Sequence, residues 1–526
     1  MARPRSLAVV GGGTAGYFAA LAVKRRFPSM TVTLVESRRI PVIGVGEATT
    51  TLMPPFLHAQ LGLDIIALWR QVRPTFKLGV RFEWGLPASE YNFAFPFDAT
   101  NVIDAASYDR DLHAQSLVSL LMHERRSPVL RGPDGEIVSL LPSYKFAYHL
   151  DNRPFVDFLA SASRQAGILH EEMTIDEVAL RRDGRGIDAL RGGGRELRND
   201  FYVDASGFAA LLVGKTLGAP FRSYAPSLFC DRAVVATVPQ GEVIDPYTTA
   251  QTMDAGWCWR IPVTGADHRG YVHSSAFLDE ASAIAEMRAA NPSMGDPWVV
   301  KFRSGRHEEF WRHNVAAVGN AYGFVEPLES TALHMVIVEI AYLLAGLELP
   351  PDAAAQEQFQ KYANDAVGGH WDYLRWFLAL HYKYNRRRDT PFWRAARSDV
   401  DITGLDDIIA RYRREGAGPW MDGRQPMHGD PAFGFSGIAT MLLGQGVSAD
   451  LPPRPSMSQA RWSRRASEHR RVAAWALPQR EALEVLRSNP QLLSDFASSS
   501  RSWCTGPRER IAIAGPGSAP GKIIAD

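Results

Sequence analysis

Leu7-Ala8-Val9-Val10-Gly11-Gly12-Gly13-Thr14-Ala15-Gly16 is the stretch that sets the fold. Four apolar residues read as a buried strand, and G-x-G-x-x-G follows at once. Gly11 permits the tight turn, Gly13 lets the backbone approach a pyrophosphate, and Gly16 lets helix and strand pack closely. A helix over Tyr17–Phe27 then starts at the phosphates, where free N–H groups and the positive dipole end favour anions. Thr31–Val35 reads as a second strand that ends in Glu36, the acid expected to grip a ribose hydroxyl. Strand, glycines, helix, strand and acid in this order predict a dinucleotide-binding β-α-β unit.

The chain has 526 residues, room for a large core and two or three structural modules. Its formal charge is +1, which implies neither nucleic acid nor a charged membrane as partner. Cys230, Cys258 and Cys504 form no C-x-x-C, so no disulfide framework is expected. No cluster has metal-ligand spacing. The first apolar segment belongs to the strand and turn, so no signal peptide is expected. The apolar stretch Met335–Leu349 is short for a membrane span and carries Glu339 and Glu348, so it reads as a buried helix. A cytoplasmic protein is expected.

Further on, Ile43–Thr49 is a polar glycine loop, and Phe76–Trp84 reads as one strand. Leu150–Ala166 has helical spacing with a stop at Gly167. The charged, Gly-rich stretch through Leu197 reads as an exposed hairpin layer. Phe201–Gly207 is a strand entering a polar turn. Val315–Val318 is another strand, followed by Gly319-Asn320-Ala321 and a helix from about Ser330. From Pro351 onward the chain reads as helical, interrupted at Gly404, Gly416–Pro419 and Pro431. The predicted fold class is α/β, a parallel-sheet core with a helical C-terminal layer. Residues 1–350 form the nucleotide module, with about 85–150 and 220–310 on the substrate side. Residues 351–497 form the helical module, and 498–526 a flexible tail.

Gly256-Trp257-Cys258-Trp259-Arg260-Ile261-Pro262 is the second decisive stretch. On a strand, its two indoles share one face. By itself it would read as a buried core strand with an edge proline. Together with Gly11–Gly16, Gly44–Thr49, Phe76-Lys77, Gly319–Thr331 and Asp389-Thr390-Pro391-Phe392-Trp393, it resembles the flavin-dependent tryptophan halogenase family. That family is a branch of the FAD-dependent monooxygenase superfamily, and W-x-W-x-I-P is its specific mark.

The resemblance implies a Rossmann-like FAD-binding core of the glutathione-reductase type beneath a largely helical substrate-covering module. FAD contacts would come from Gly11, Gly13, Thr14, Ala15, Gly16, Glu36, Gly46, Ala48, Asn320 and Leu333. FADH2 and oxygen would form a flavin hydroperoxide, and a chloride or bromide ion held at Thr331 and Ala332 would attack it. The resulting hypohalous acid would pass a tunnel lined by Trp257, Trp259 and Ser330 to Lys77, beside an indole-like ring sandwiched by Phe95 and Phe97.

Lys77 could hydrogen-bond hypohalous acid or, with its pKa lowered by burial, form a haloamine. A lysine is otherwise usually a surface ion-pair partner. Glu329 could orient the acid or accept the ring proton; equally, Glu329-Ser330-Thr331 fits an acidic, capped helix start. Two positions depart from the family pattern. Ala332 stands where glycine is usual. Ile438-Ala439-Thr440, before Leu442-Leu443-Gly444-Gln445-Gly446, replaces paired tyrosines that hold the amino-acid end of tryptophan. Indole, or a larger indole-bearing molecule, is therefore an expected substrate, with bromide used at least as well as chloride. No second glycine fingerprint is present for a nicotinamide cofactor, so a separate flavin reductase is expected, with the enzyme a monomer or homodimer. The alternatives are an FAD aromatic hydroxylase and a non-catalytic FAD-fold binding protein.

Overall fold

The computed structural model describes residues 4–40, 46–99, 101–141, 143–350, 352–421 and 433–499. Gly44 of the second glycine loop, Pro431 and the tail from Ser500 lie outside these residues.

Strands Leu169–Glu172, Thr31–Glu36, Ser6–Val10, Phe201–Asp204 and Val315–Ala317 lie side by side in that order. All are parallel, and Trp311–Arg312 closes the edge antiparallel. Residues alternate across the sheet. Leu7 and Val9 join the main core, with Phe18 and Leu21 of helix Thr14–Arg26. Ala8 and Val10 face a second core under the antiparallel sheet Glu177–Leu180, Ile187–Gly192 and Arg195–Leu197, the expected hairpin layer. The first helix starts at Thr14 rather than Tyr17, because Gly13 already serves as its N-cap.

A seven-stranded sheet stands beside the parallel one. Its order is Trp298–Lys301, Arg232–Pro239, Ala266–His273, Gly256–Val263, Thr248–Met253, Gly79–Glu83 and Phe93–Pro96. The tryptophan motif is thus an interior strand. Its neighbour Thr248–Met253 reaches only as far as Arg260, so Pro262 is paired on one side alone, where its missing N–H is tolerated.

The expected single strand Phe76–Trp84 is two. Thr75–Lys77 pairs with Ala147–Leu150 in a small sheet, whereas Gly79–Glu83 belongs to the large one. The break falls at Leu78, whose N–H donates to Pro246 O at 2.8 Å. Gly79 then passes so close to the Phe95 carbonyl that a Cβ would overlap it. Lys77 therefore ends its strand at the seam between two sheets.

The C-terminal region is helical, led by the 31-residue helix Ala353–Lys383. Strand Ala476–Pro478 returns to pair with Arg126–Arg131. Helix Pro490–Ser499 runs past residue 498. The apolar stretch from Met335 falls in the buried helix Ala332–Glu348, with Leu349 as its C-cap. Among the described residues no helix is long and apolar enough to cross a membrane, and no His/Cys/carboxylate group could hold a metal ion.

Candidate functional site

Each glycine of the first turn meets a different neighbour. Gly11 sits at φ +124°, and a Cβ there or at Gly16 would overlap the Ala205 or Gly11 carbonyl. A Cβ on Gly12 would overlap Glu36. At Gly13 it would meet nothing within 4 Å, so this residue alone opens outward. Thr14 Oγ1, in the first helical turn, is buried without a partner. Open backbone, an orphan hydroxyl and a helix start fit the pyrophosphate of a dinucleotide. Glu36 ends its strand, accepting a hydrogen bond from the Tyr17 hydroxyl at 3.2 Å. Gly319, at φ +62°, packs against Ala15 and carries Asn320 to the same turn. Gly46, also at positive φ, lies against the His268 ring, and Ala48 lies in a two-residue strand next to it.

Lys77 is fully buried. Its Nζ donates to Thr49 O at 3.0 Å and lies 5.4 Å from the Phe97 ring centre. Burial pulls its pKa down from 10.5 to about 7, and the Glu329 charge opposes this. Loss of hydration is the larger effect because an ammonium in a dry site keeps one hydrogen bond of three. The Thr75 hydroxyl, two residues back, donates to Pro262 O at 2.7 Å. The tryptophan motif is thereby stitched to the lysine strand. With that proton committed, Thr75 Oγ1 accepts from His149 Nδ1 at 3.2 Å, and His149 Nε2 accepts from the Thr248 hydroxyl at 2.9 Å. This keeps His149 neutral, and burial together with the Lys77 charge lowers its pKa further.

Glu329 Oε1 lies 2.8 Å from His381 Nε2, and both side chains are buried. His381 Nδ1 lies 2.8 Å from Phe377 O. A carbonyl only accepts, so Nδ1 carries a proton. The Glu329–His381 contact then requires one more proton between its two atoms, on imidazole or on carboxyl. The pair lies within electrostatic reach of Lys77.

The helix expected from Ser330 begins at Ala332. Ser330 takes the left-handed region at φ +59°, which keeps it and Glu329 out of the helix. Neither hydroxyl caps: Ser330 Oγ and Thr331 Oγ1 are both buried and unpartnered. Two orphan hydroxyls at a helix start fit a halide ion.

Trp257 and Trp259 share a face, with ring centres 6.0 Å apart, and both are buried. Trp257 Nε1 donates to Glu326 Oε2 at 2.7 Å, and the Tyr382 hydroxyl donates to the same oxygen. Burial pushes the Glu326 pKa up to about 7. Trp259 lies over Gly270, where a Cβ would collide with the indole. Phe95 packs into an aromatic cluster with Phe82, Phe377 and Phe433, whereas Phe97 faces Lys77. Leu333 is buried in the first turn of helix Ala332–Glu348.

His381, His149, Glu326 and Thr49 were not among the residues expected at the site. A polar residue on the buried side of Ala353–Lys383 is the one signal that points to His381; Thr49 and Glu326 lie within the stretches Gly44–Thr49 and Gly319–Thr331, and His149 carries no signal.

Residues 6–458 match the family model described as tryptophan halogenase. The chain belongs to the tryptophan halogenase family. Tryptophan 6-halogenase SttH of Streptomyces toxytricini is 30% identical over 497 residues, covering 87% of this chain and 92% of that one. Tryptophan 7-halogenase RebH of Lentzea aerocolonigenes is 29% identical over 496 residues, covering 84% and 90%. Among solved structures, MibH, a lanthipeptide tryptophan 5-halogenase, superposes with a TM-score of 0.88 at 43% identity, covering 95% and 97%. This tryptophan halogenase homologue is a flavin-dependent enzyme that halogenates tryptophan or indole-like aromatic rings. That conclusion displaces the hydroxylase and the non-catalytic alternatives. Within the family frame, Ile438-Ala439-Thr440 is fully buried in helix Phe435–Gly444. The one hydroxyl there, on Thr440, donates to Ser436 O.

Proposed function

We propose that this halogenase acts on the indole of a tryptophan held within a peptide, using FADH2, oxygen and a halide ion. Similarity to MibH, whose described substrate is a lanthipeptide tryptophan, carries the substrate reading. The lack of free hydroxyls at Ile438-Ala439-Thr440 supports it, because the charged ends of free tryptophan would be buried there without partners.

In this reading Gly13, Thr14 Oγ1 and the start of the first helix hold the FAD pyrophosphate, and Glu36 holds its ribose. Gly46, Ala48, Asn320 and Leu333 complete the cofactor surface. Reduced FAD with oxygen supplies the oxidation that turns halide into hypohalous acid. Ser330 Oγ and Thr331 Oγ1 donate to the halide, and Trp257 and Trp259 wall the path between the two ends of the site. Lys77 receives the hypohalous acid. As an ammonium it donates a hydrogen bond to the oxygen and leaves the halogen electrophilic. As a free amine, accessible near pH 7 through burial, it attacks the halogen and gives a haloamine and water. The indole carbon then takes the halogen, and its proton passes to the Glu329–His381 pair. Phe97 and Phe95 hold the ring. Reduced FAD is delivered by a separate flavin reductase.

The test supplies FAD, NADH, a flavin reductase and bromide or chloride. Free tryptophan, indole and a peptide with an internal tryptophan then compete. A mass shift of one halogen on the peptide ahead of free tryptophan is expected. Faster halogenation of free tryptophan would refute the substrate reading.

A further inference from the structure

Arg81 and Phe82 are neighbours on strand Gly79–Glu83 and point to opposite faces of the large sheet. Phe82 packs with Phe93, Phe95 and His381 on the site side. On Arg81's side lies a cavity of about 90 Å³, lined by the polar Arg81, Asn92, His113, His123 and Tyr247 and by the apolar Ala94 and Met122. Nothing in the halogenation chemistry uses it.

The charges around this cavity do not balance. Arg81 Nη1 donates to the Tyr247 hydroxyl at 3.3 Å, while its Nε–H is buried and has no partner. The buried guanidinium of Arg306 has Asp372, and Arg260 has Asp245 and Asp267. Asp245, beside Tyr247 in the chain, is also taken by Arg125. No carboxylate pairs with Arg81 among the described residues. His113 Nδ1 is likewise buried without a partner, and its ring centre is 4.5 Å from that of His123. The nearby Asp111 carboxylate accepts from the His113 backbone N–H at 2.9 Å. His123 is exposed and forms the open side. Arg81 is partly buried, and a guanidinium whose buried N–H has no acceptor favours an anion. Here an unpaired N–H, two imidazoles and a phenol surround space for one.

We propose that this cavity binds a small oxyanion, a carboxylate or phosphate group, through Arg81 Nε–H and the His123 ring. The guanidinium supplies charge and directional donors, which such groups prefer.

The test is titration calorimetry on the FAD-loaded enzyme, so that the cofactor's phosphate site is filled, in halide-free buffer. The probes are inorganic phosphate and acetate. Binding of either is expected, weakened at least about tenfold by Arg81→Gln, the loss expected for a charge-assisted bond. His123→Ala, at an exposed position that leaves the fold intact, is expected to weaken it about threefold. Preference for phosphate assigns a phosphate group, and preference for acetate a carboxylate. The proposal falls if neither binds, if chloride binds as tightly as the better oxyanion, or if both variants bind like the parent. Should Arg81→Gln fail to retain FAD, His123→Ala alone decides.

Discussion

Replacing Lys77 by methionine should destroy halogenation and stabilise the protein. In the unfolded chain the ammonium keeps its proton up to its ordinary pKa of 10.5, but in the folded enzyme it releases it near 7. Folding therefore carries a penalty that is full below 7, shrinks across the window from 7 to 10.5, and is absent above it. At about 1.4 kcal/mol per pH unit, the full penalty is about 5 kcal/mol. Losing the Nζ–H bond to Thr49 O offsets about 1 kcal/mol of the gain. Lys77→Met should therefore be more stable than the parent by about 4 kcal/mol near pH 6.5, with the gap closed by about pH 9.5. Urea unfolding of both proteins at several pH values, followed by tryptophan fluorescence, measures the gap. Halogenation and FAD binding are assayed on the same preparations, with the first lost and the second kept. A variant no more stable than the parent, or a gap that stays constant with pH, would refute the reasoning that burial holds Lys77 close to neutrality.

Glu329→Gln should lower turnover at least about tenfold without unfolding the chain, since an amide keeps the shape but takes no proton. His381→Gln should slow the same step, and the double variant should be no slower than the worse single one, as expected for residues acting as a unit; additive losses in turnover would separate them. Gly13→Val should fold like the parent yet lose FAD, because Gly13 lies at φ −86° with open space beyond it. Equilibrium dialysis showing unchanged FAD affinity would contradict the placement of the turn. In direct competition, bromide should support turnover at least as well as chloride, and product masses report the ratio.

The sequence by itself determined the first β-α-β unit, because its signals are local. An apolar run, three glycines at fixed spacing and a terminal acid all act within Leu7–Glu36, and the structure reproduces them in that order. It also determined that Trp257 and Trp259 share a face, since strand periodicity alone dictates it. What it left open was set by residues far along the chain. The Phe76–Trp84 pattern reads as continuous because hydrophobicity does not reveal the break at Leu78, which the Pro246 carbonyl makes. The start of the helix at Ala332 is likewise invisible, because Ser330 enters the left-handed region against its own preference. Most of all, a lysine in a sequence is an ordinary surface cation. Lys77 becomes a near-neutral group only where the strands of Thr75, His149 and Thr248 and the carbonyl of Thr49 converge and exclude water, against the opposing charge of Glu329. His381, 52 residues beyond Glu329, joins it only through the long helix that packs over the sheet. Desolvation is a property of that convergence, and no local pattern encodes it.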